Sequence, residues 1–211
     1  MESSERRVAV VGDDRADALR RALASLPYRS VERSAADAVV AVGDEPLRDV
    51  LVDAPDAPVI PVGSRRLAVD SDVAERRLRT LLDAALRGEC GDGDRPVDGV
   101  RRVSHPVLAV DAGDGETRRA AFDVALVTAE PARISEFAID LVGGADRVIR
   151  ADGVVVATPF GSDGYANAVG GPVVEPGGGL SVAPIAPFST RTDTWVAADR
   201  LSLSVERETE S

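Results

Sequence analysis

The chain has 211 residues, of which 44% are hydrophobic but only 3% aromatic, so its core must be built from Val, Ala, Leu and Ile. That composition suits strands and closely packed α/β layers. The net charge is −11 and every basic residue is Arg; such a surface repels phosphate backbones and excludes general nucleic-acid binding.

Val8–Val11 is an apolar run ending in Gly12-Asp13-Asp14, a buried strand leading into a turn. Ala16–Leu26 places Leu19, Leu23 and Leu26 at helical spacing. Ala38–Val42 predicts a second buried strand closed by Gly43-Asp44, Leu47–Val52 a short helix, and Pro58–Val62 a third strand. Val73–Arg87 is amphipathic, with Leu78, Leu81, Leu82 and Leu86 on one face. Strands alternating with helices imply a parallel sheet covered by helices.

Gly88–Gly99 is rich in Gly and Asp and reads as a linker. Its Asp92-Gly93-Asp94 lacks the spacing and closing Glu of a calcium loop. Beyond it the pattern is mostly strand. Val107–Val110 and Ala121–Thr128 predict a hairpin across Asp111–Gly115. Arg133–Leu141 alternates Ile134, Glu136, Ala138 and Asp140; Arg147–Ile149 and Val154–Ala157 continue the series. The expected organisation is a Rossmann-like α/β domain over residues 1–95 and a β-rich domain over 96–211.

One Cys, Cys90, permits no internal disulfide and points to a reducing compartment. No apolar stretch approaches the roughly 18 residues of a membrane span, and residues 1–7 are polar, so a cytoplasmic protein without a signal peptide is expected. The acidity also suits a halophilic setting, where salt screens like charges, or a GC-rich genome. His105 has no metal-ligand partner at useful spacing, and no metal site is expected.

The segment from Asp152 to Pro172 is the most informative. Gly161-Ser162 follows an apolar strand and opens a short helical stretch, a junction whose free backbone N–H groups suit anionic or carbonyl oxygens. Tyr165 can stack on a base or donate its hydroxyl, and Asp152 can accept from a carboxamide or a ribose. The segment is similar to the NAD kinase signature, in which Asp-Gly opens a strand and Thr-Pro-Thr-Gly-Ser-Thr-Ala-Tyr leads to a helix and Gly-Gly-Pro. Asp152, Gly153, Thr158, Pro159, Gly161, Ser162, Tyr165, Gly170, Gly171 and Pro172 match in register. Ala183–Ser189 resembles the family's Pro-Ile-x-Pro-His-Ser. Ala120–Val127 with Ala132-Arg133 resembles its Asn-Glu strand, and Val39–Leu47 falls where it carries Gly-Gly-Asp-Gly-Thr-Leu.

The resemblance implies a two-domain NAD kinase fold whose last strand, Arg200–Val205, returns to the first domain, with the active site between the domains. It implies ATP-dependent phosphorylation of the NAD adenosine ribose 2′-hydroxyl with Mg²⁺, in a homo-oligomer. Asp44 would be the general base, Gly43 and Asp44 would meet ATP, and Asp123, Asp152, Thr158, Gly161, Ser162, Asp163 and Tyr165 would hold NAD. The sequence departs from the pattern at several positions. Glu45 and Pro46 follow Asp44 where the family has Gly-Thr, adding a charge and a Cβ and removing a backbone donor. Phe122-Asp123 replaces Asn-Glu, Phe188 replaces His, Asp163-Gly164 replaces Thr-Ala, and Ala168 replaces Ser. Two other functions stay open: a non-catalytic NAD(P)-binding paralogue acting as sensor or partner subunit, and a kinase for another nucleoside or polyol.

Overall fold

Apolar runs and helical repeats in the first hundred residues become a parallel sheet with its helices. The computed structural model describes residues 6–86, 99–129, 133–141, 147–189 and 193–210. It divides into two units, Met1–Val103 and Ser104–Ser211, a break a few residues beyond the expected 95/96 boundary. The expected linker, with Cys90 and Asp92–Asp94, lies outside the described residues except for Gly99.

In the first unit the elements run β1 (Arg7–Val11), α1 (Asp17–Ala24), β2 (Arg29–Ser30), β3 (Ala38–Val42), α2 (Asp44–Val52), β4 (Val59–Val62) and α3 (Ser71–Leu86). The strands pair in parallel in the order β2-β1-β3-β4. All five residues of β3, Ala-Val-Val-Ala-Val, are buried, as a central parallel strand requires. Leu19 and Leu23 of α1 and Ala74, Leu78, Leu81 and Leu82 of α3 close one core with Val8, Val40 and Val62. Each buried Leu contributes about 1.5–3 kcal/mol. The Asp70 carboxylate accepts the Asp72 N–H at 2.9 Å and caps α3.

The sequence predicted α2 from Leu47, but it starts at Asp44. Pro46 sits in the first turn, where N–H groups have no intrahelical partner, so its missing donor costs the helix nothing. The first helical bond, Leu47 N–H to the Gly43 carbonyl, forms one residue later at 3.1 Å.

The second unit contains β5 (Leu108–Asp111), β6 (Thr117–Ala120), β7 (Asp123–Val127), β8 (Arg133–Leu141), β9 (Arg147–Ala151), β10 (Gly153–Ala157), α4 (Tyr165–Ala168), β11 (Leu180–Ile185), β12 (Trp195–Ala197) and β13 (Leu201–Glu210). One antiparallel sheet has the order β12-β11-β10-β7 and another β13-β8-β9. They share a core in which Phe137 and Ile139 of β8 meet Val154 and Val156 of β10 and Val182 of β11. Val155 and Ala157 face the other way, against Ala166 of α4 and Ala183. Alternate residues of β10 therefore feed two cores, which explains its unbroken apolar sequence.

One expectation is corrected here. Leu108–Asp111 pairs with the polar strand Thr117–Ala120, not with Ala121–Thr128. The β7 segment instead lies beside β10, Asp123 opposite Ala157. The C-terminal strand β13 pairs with β8 from Leu201↔Leu141 to Glu210↔Arg133. Its alternation of Leu201, Leu203 and polar residues matches a strand with one covered face.

Candidate functional site

Strand order in the first unit reverses at β1, whose neighbours β2 and β3 lie on opposite sides. In open parallel sheets the crevice outside the carboxyl ends of strands at such a reversal receives ligands. Here Gly12 follows β1, Gly43 follows β3 and Gly63 follows β4, so no side chain projects from these three positions. Gly43 has φ +92°, a conformation costly for side chains with a Cβ, and its turn sets Asp44 at the start of α2. The Asp44 carboxylate is 56% exposed, and its Oδ2 lies 2.9 Å from Nε of Arg65, which follows β4. The helix dipole favours a carboxylate in this first turn.

Arg15 completes the cluster. Asp13, whose carboxylate caps the turn after β1, takes Arg15 Nε at 3.0 Å and Nη2 at 2.8 Å. These bonds hold the Asp13 carboxyl below its ordinary pKa. They also carry the guanidinium across to β3, where a Cβ on Gly43 would lie 3.2 Å from Arg15 Nη2. Arg15 and Asp44 attract each other. Glu45 is 80% exposed and has Arg48 Nη2 at 3.6 Å, one turn along α2.

In the second unit the loop between β10 and α4 is pinned to the start of β7. Thr158 is fully buried; its N–H donates to the Phe122 carbonyl at 2.8 Å, and its Oγ1 lies 2.8 and 3.0 Å from the Ala121 and Phe122 carbonyl oxygens. Gly161 crosses the same backbone so closely that a Cβ would stand 2.1 Å from the Phe122 oxygen. The Ser162 hydroxyl, also fully buried, donates to the Pro159 carbonyl at 2.9 Å and accepts the Val174 N–H at 3.0 Å. The Gly161 and Ser162 N–H groups both donate to the Thr158 carbonyl, at 3.0 and 2.8 Å. They are engaged within the loop, and the free donors expected there are not present. Asp163 is half-buried and Tyr165, at the start of α4, is 47% exposed. Asp123, half-buried, stands beside this loop through its pairing opposite Ala157.

Phe122, Phe160 and His105 form an apolar wall at this end of the sheet. The two Phe rings stack at 6.3 Å between centroids, and His105 meets Phe160 edge-on at 5.0 Å. His105 Nε2 lies 2.9 Å from the Ala121 carbonyl oxygen, so this nitrogen carries the proton and donates. Burial lowers the His105 pKa, and the carbonyl bond opposes it more weakly. Asp152 sits apart. It is exposed between β9 and β10, and its N–H donates to the Ile185 carbonyl at 2.9 Å. At about 3.3 Å per residue, β10 separates it from Thr158 by roughly 20 Å, so one ring of a ligand cannot touch both within a chain. Phe188, 54% exposed, lies at the Asp152 end, its N–H donating to the Arg150 carbonyl.

Residues 123–211 match the model of the ATP-NAD kinase C-terminal domain. The chain is 38% identical to the NAD kinase of Methanosarcina acetivorans over 85 residues, 40% of this chain and 31% of that one. It is 27% identical to the NAD kinase of Methanothermobacter thermautotrophicus over 157 residues, 74% of this chain and 52% of that one. Its fold superposes with TM-score 0.67 on the crystal structure of an NAD kinase from Archaeoglobus fulgidus in complex with ATP, at 23% identity, covering 97% of this chain and 86% of that one. Residues 123–211 carry the NAD kinase C-terminal domain, and the relatives and the shared fold support membership of the NAD kinase family. The matches span about a third to a half of those two curated relatives.

Within this NAD kinase fold, each unit gathers part of the expected set: Gly43 and Asp44 in the first, and Asp123, Thr158, Gly161, Ser162, Asp163 and Tyr165 at one end of β10 in the second. Sequence reasoning missed Arg15, Arg65, Phe160 and the bond from His105. Arg15 and Arg65 each follow a strand-ending Gly by two or three residues, a signal that a search for basic residues after strand ends would have found. The partnership of Phe122 with Phe160 joins residues far apart in sequence and carried no local signal.

Proposed function

We propose that this protein transfers the γ-phosphoryl group of ATP to the 2′-hydroxyl of the adenosine ribose of NAD, giving NADP and ADP. The observation that carries the reading is Asp44. Its carboxylate is accessible at the carboxyl edge of the parallel sheet, turned there by Gly43 and oriented by Arg65. As general base it takes the 2′-hydroxyl proton while the ribose oxygen bonds to the γ-phosphorus and the bridging oxygen leaves with ADP. Asp123, Asp163 and Tyr165 are the accessible groups on the second unit for holding the dinucleotide. Thr158, Gly161 and Ser162 shape the loop that carries them.

Mg²⁺ would arrive on the triphosphate, since Mg²⁺ binds through phosphates and one or two carboxylates, and Asp44 could supply one. Bound there it would neutralise phosphate charge. The test is NADP formation by purified protein with NAD, ATP and Mg²⁺, in molar KCl and in low salt. Turnover that disappears in Asp44→Ala is expected; unchanged turnover in that variant would sink the assignment.

Pro46 and Glu45 favour a second reading, a non-catalytic NAD(P)-binding relative, because α2 offers phosphate fewer N–H donors and one more carboxylate. It predicts dinucleotide binding by calorimetry with no turnover in either buffer.

A further inference from the structure

We infer that Phe122 sets the base selectivity of the second unit: it holds the base of a dinucleotide by ring contact alone, so ligands that differ only at the base edge bind alike. This rests on the reading that the second unit binds a dinucleotide; it does not need the phosphoryl transfer. Phe122 directly precedes Asp123, the first residue of β7, and is half-buried. Phe160, only 6% exposed, stacks on it at 6.3 Å between centroids with 29° between the ring planes. Phe160 is held in turn by His105, whose ring meets it edge-on while Nε2 donates to the Ala121 carbonyl at 2.9 Å. The Phe122 carbonyl takes the Thr158 N–H at 2.8 Å, so backbone and ring are both fixed. A rigid aromatic surface next to a carboxylate suits a nucleoside, the ring for the base and the carboxylate for ribose hydroxyls.

Reading a base edge takes donors and acceptors, and this loop has turned its own inward. The Thr158 hydroxyl lies on the Ala121 and Phe122 carbonyl oxygens, and the Ser162 hydroxyl bonds Pro159 and Val174. The Gly161 and Ser162 N–H groups donate to the Thr158 carbonyl. The Asn that the family pattern carries at position 122 has an amide that both donates and accepts; the phenyl ring of this chain does neither. Stacking discriminates little, since every base has a π face. Asp123, Asp163 and Tyr165, the groups proposed to hold the dinucleotide, do not restore the discrimination. A carboxylate only accepts, and adenine offers it an N–H at the exocyclic amine where hypoxanthine offers one at N1. A phenol both donates and accepts, so it too takes either base.

Calorimetric titration of the full chain with NAD and, separately, with nicotinamide hypoxanthine dinucleotide tests this. The two dissociation constants should agree within about threefold, the tolerance expected of stacking. Phe122→Ala should weaken both ligands alike, by about fivefold or more. Phe122→Leu, which keeps an apolar side chain against Phe160 and removes the ring, should weaken both in the same direction and guards against misfolding of the alanine variant. Val148→Ala, an exposed position on β9, should leave both within about twofold. Equal affinities that fall together in the Phe122 variants support the inference. NAD bound tenfold or more tighter than its hypoxanthine analogue overturns it and leaves the dinucleotide reading standing. Unchanged affinities in both Phe122 variants also overturn it. Binding of neither ligand to the unmodified chain overturns it together with the dinucleotide reading. Absence of NADP formation would defeat the kinase reading alone, while the two titrations still decide the selectivity.

Discussion

The two units build their candidate sites in opposite ways. In the second, the loop from Thr158 to Gly164 is built by backbone: a buried threonine, a buried serine and a glycine pressed on the Phe122 carbonyl. In the first, the crevice is furnished by charged side chains, Arg15, Asp44 and Arg65, beside the glycines that follow the strands. In that unit Glu45 and Pro46 stand where the family pattern has Gly-Thr. A loop whose Gly161 would otherwise place a Cβ 2.1 Å from a carbonyl oxygen cannot change so freely. The motif that is readable in this sequence is therefore the part that folds the site, more than the part that touches the ligand.

That contrast breaks most sharply at Asp44. Asp44→Asn should lower turnover about 10²–10⁴-fold and leave dinucleotide binding by calorimetry within a factor of about two. Gly161→Ala should act on the fold instead, costing about 3 kcal/mol or more through overpacking, read as a drop in the denaturant midpoint. Ser162→Ala leaves the buried Val174 N–H without its acceptor and should cost about 1–3 kcal/mol, with the KM for NAD unchanged. A raised KM at unchanged stability would instead make the hydroxyl a ligand contact.

The smallest effect concerns pH. Because the folded pKa of His105 lies below its ordinary 6.5, the unfolded chain binds the proton more tightly. This contribution to stability is complete above the ordinary value and is lost as pH falls through it toward the folded value. Denaturant midpoints should thus rise as pH climbs toward and through the ordinary histidine value of about 6.5, and His105→Gln should flatten that part of the profile. A profile identical in the variant would mean that His105 titrates as it does in the unfolded chain.

Much of the fold was legible. Continuous apolar runs gave β1, β3 and β10, and leucine spacing gave α1 and α3, because burial writes its period into the sequence. The hairpin at Leu108 was misread because Thr117–Ala120, Thr-Arg-Arg-Ala, is mostly polar and leaves no alternation to detect. The start of α2 was misplaced because Pro46 reads as a breaker in sequence, yet fits a first turn. At the candidate site, Asp44, Asp163 and Tyr165 were named from pattern as expectations. The engagement of the Gly161 and Ser162 N–H groups could not, since it depends on how the loop folds back on Thr158. Arg15 and Arg65 were missed for a related reason: strand order, not sequence distance, brings them to Gly43-Asp44.

The most direct test of the central claim follows the phosphorus itself. Purified protein would be incubated with NAD, Mg²⁺ and ATP labelled at the γ-phosphate, and the dinucleotide product separated and counted. Label in the 2′-phosphate of NADP, absent with Asp44→Asn, is the predicted result. Label confined to ATP and inorganic phosphate, while the protein still binds NAD, would contradict phosphoryl transfer and leave a protein that holds the dinucleotide without modifying it.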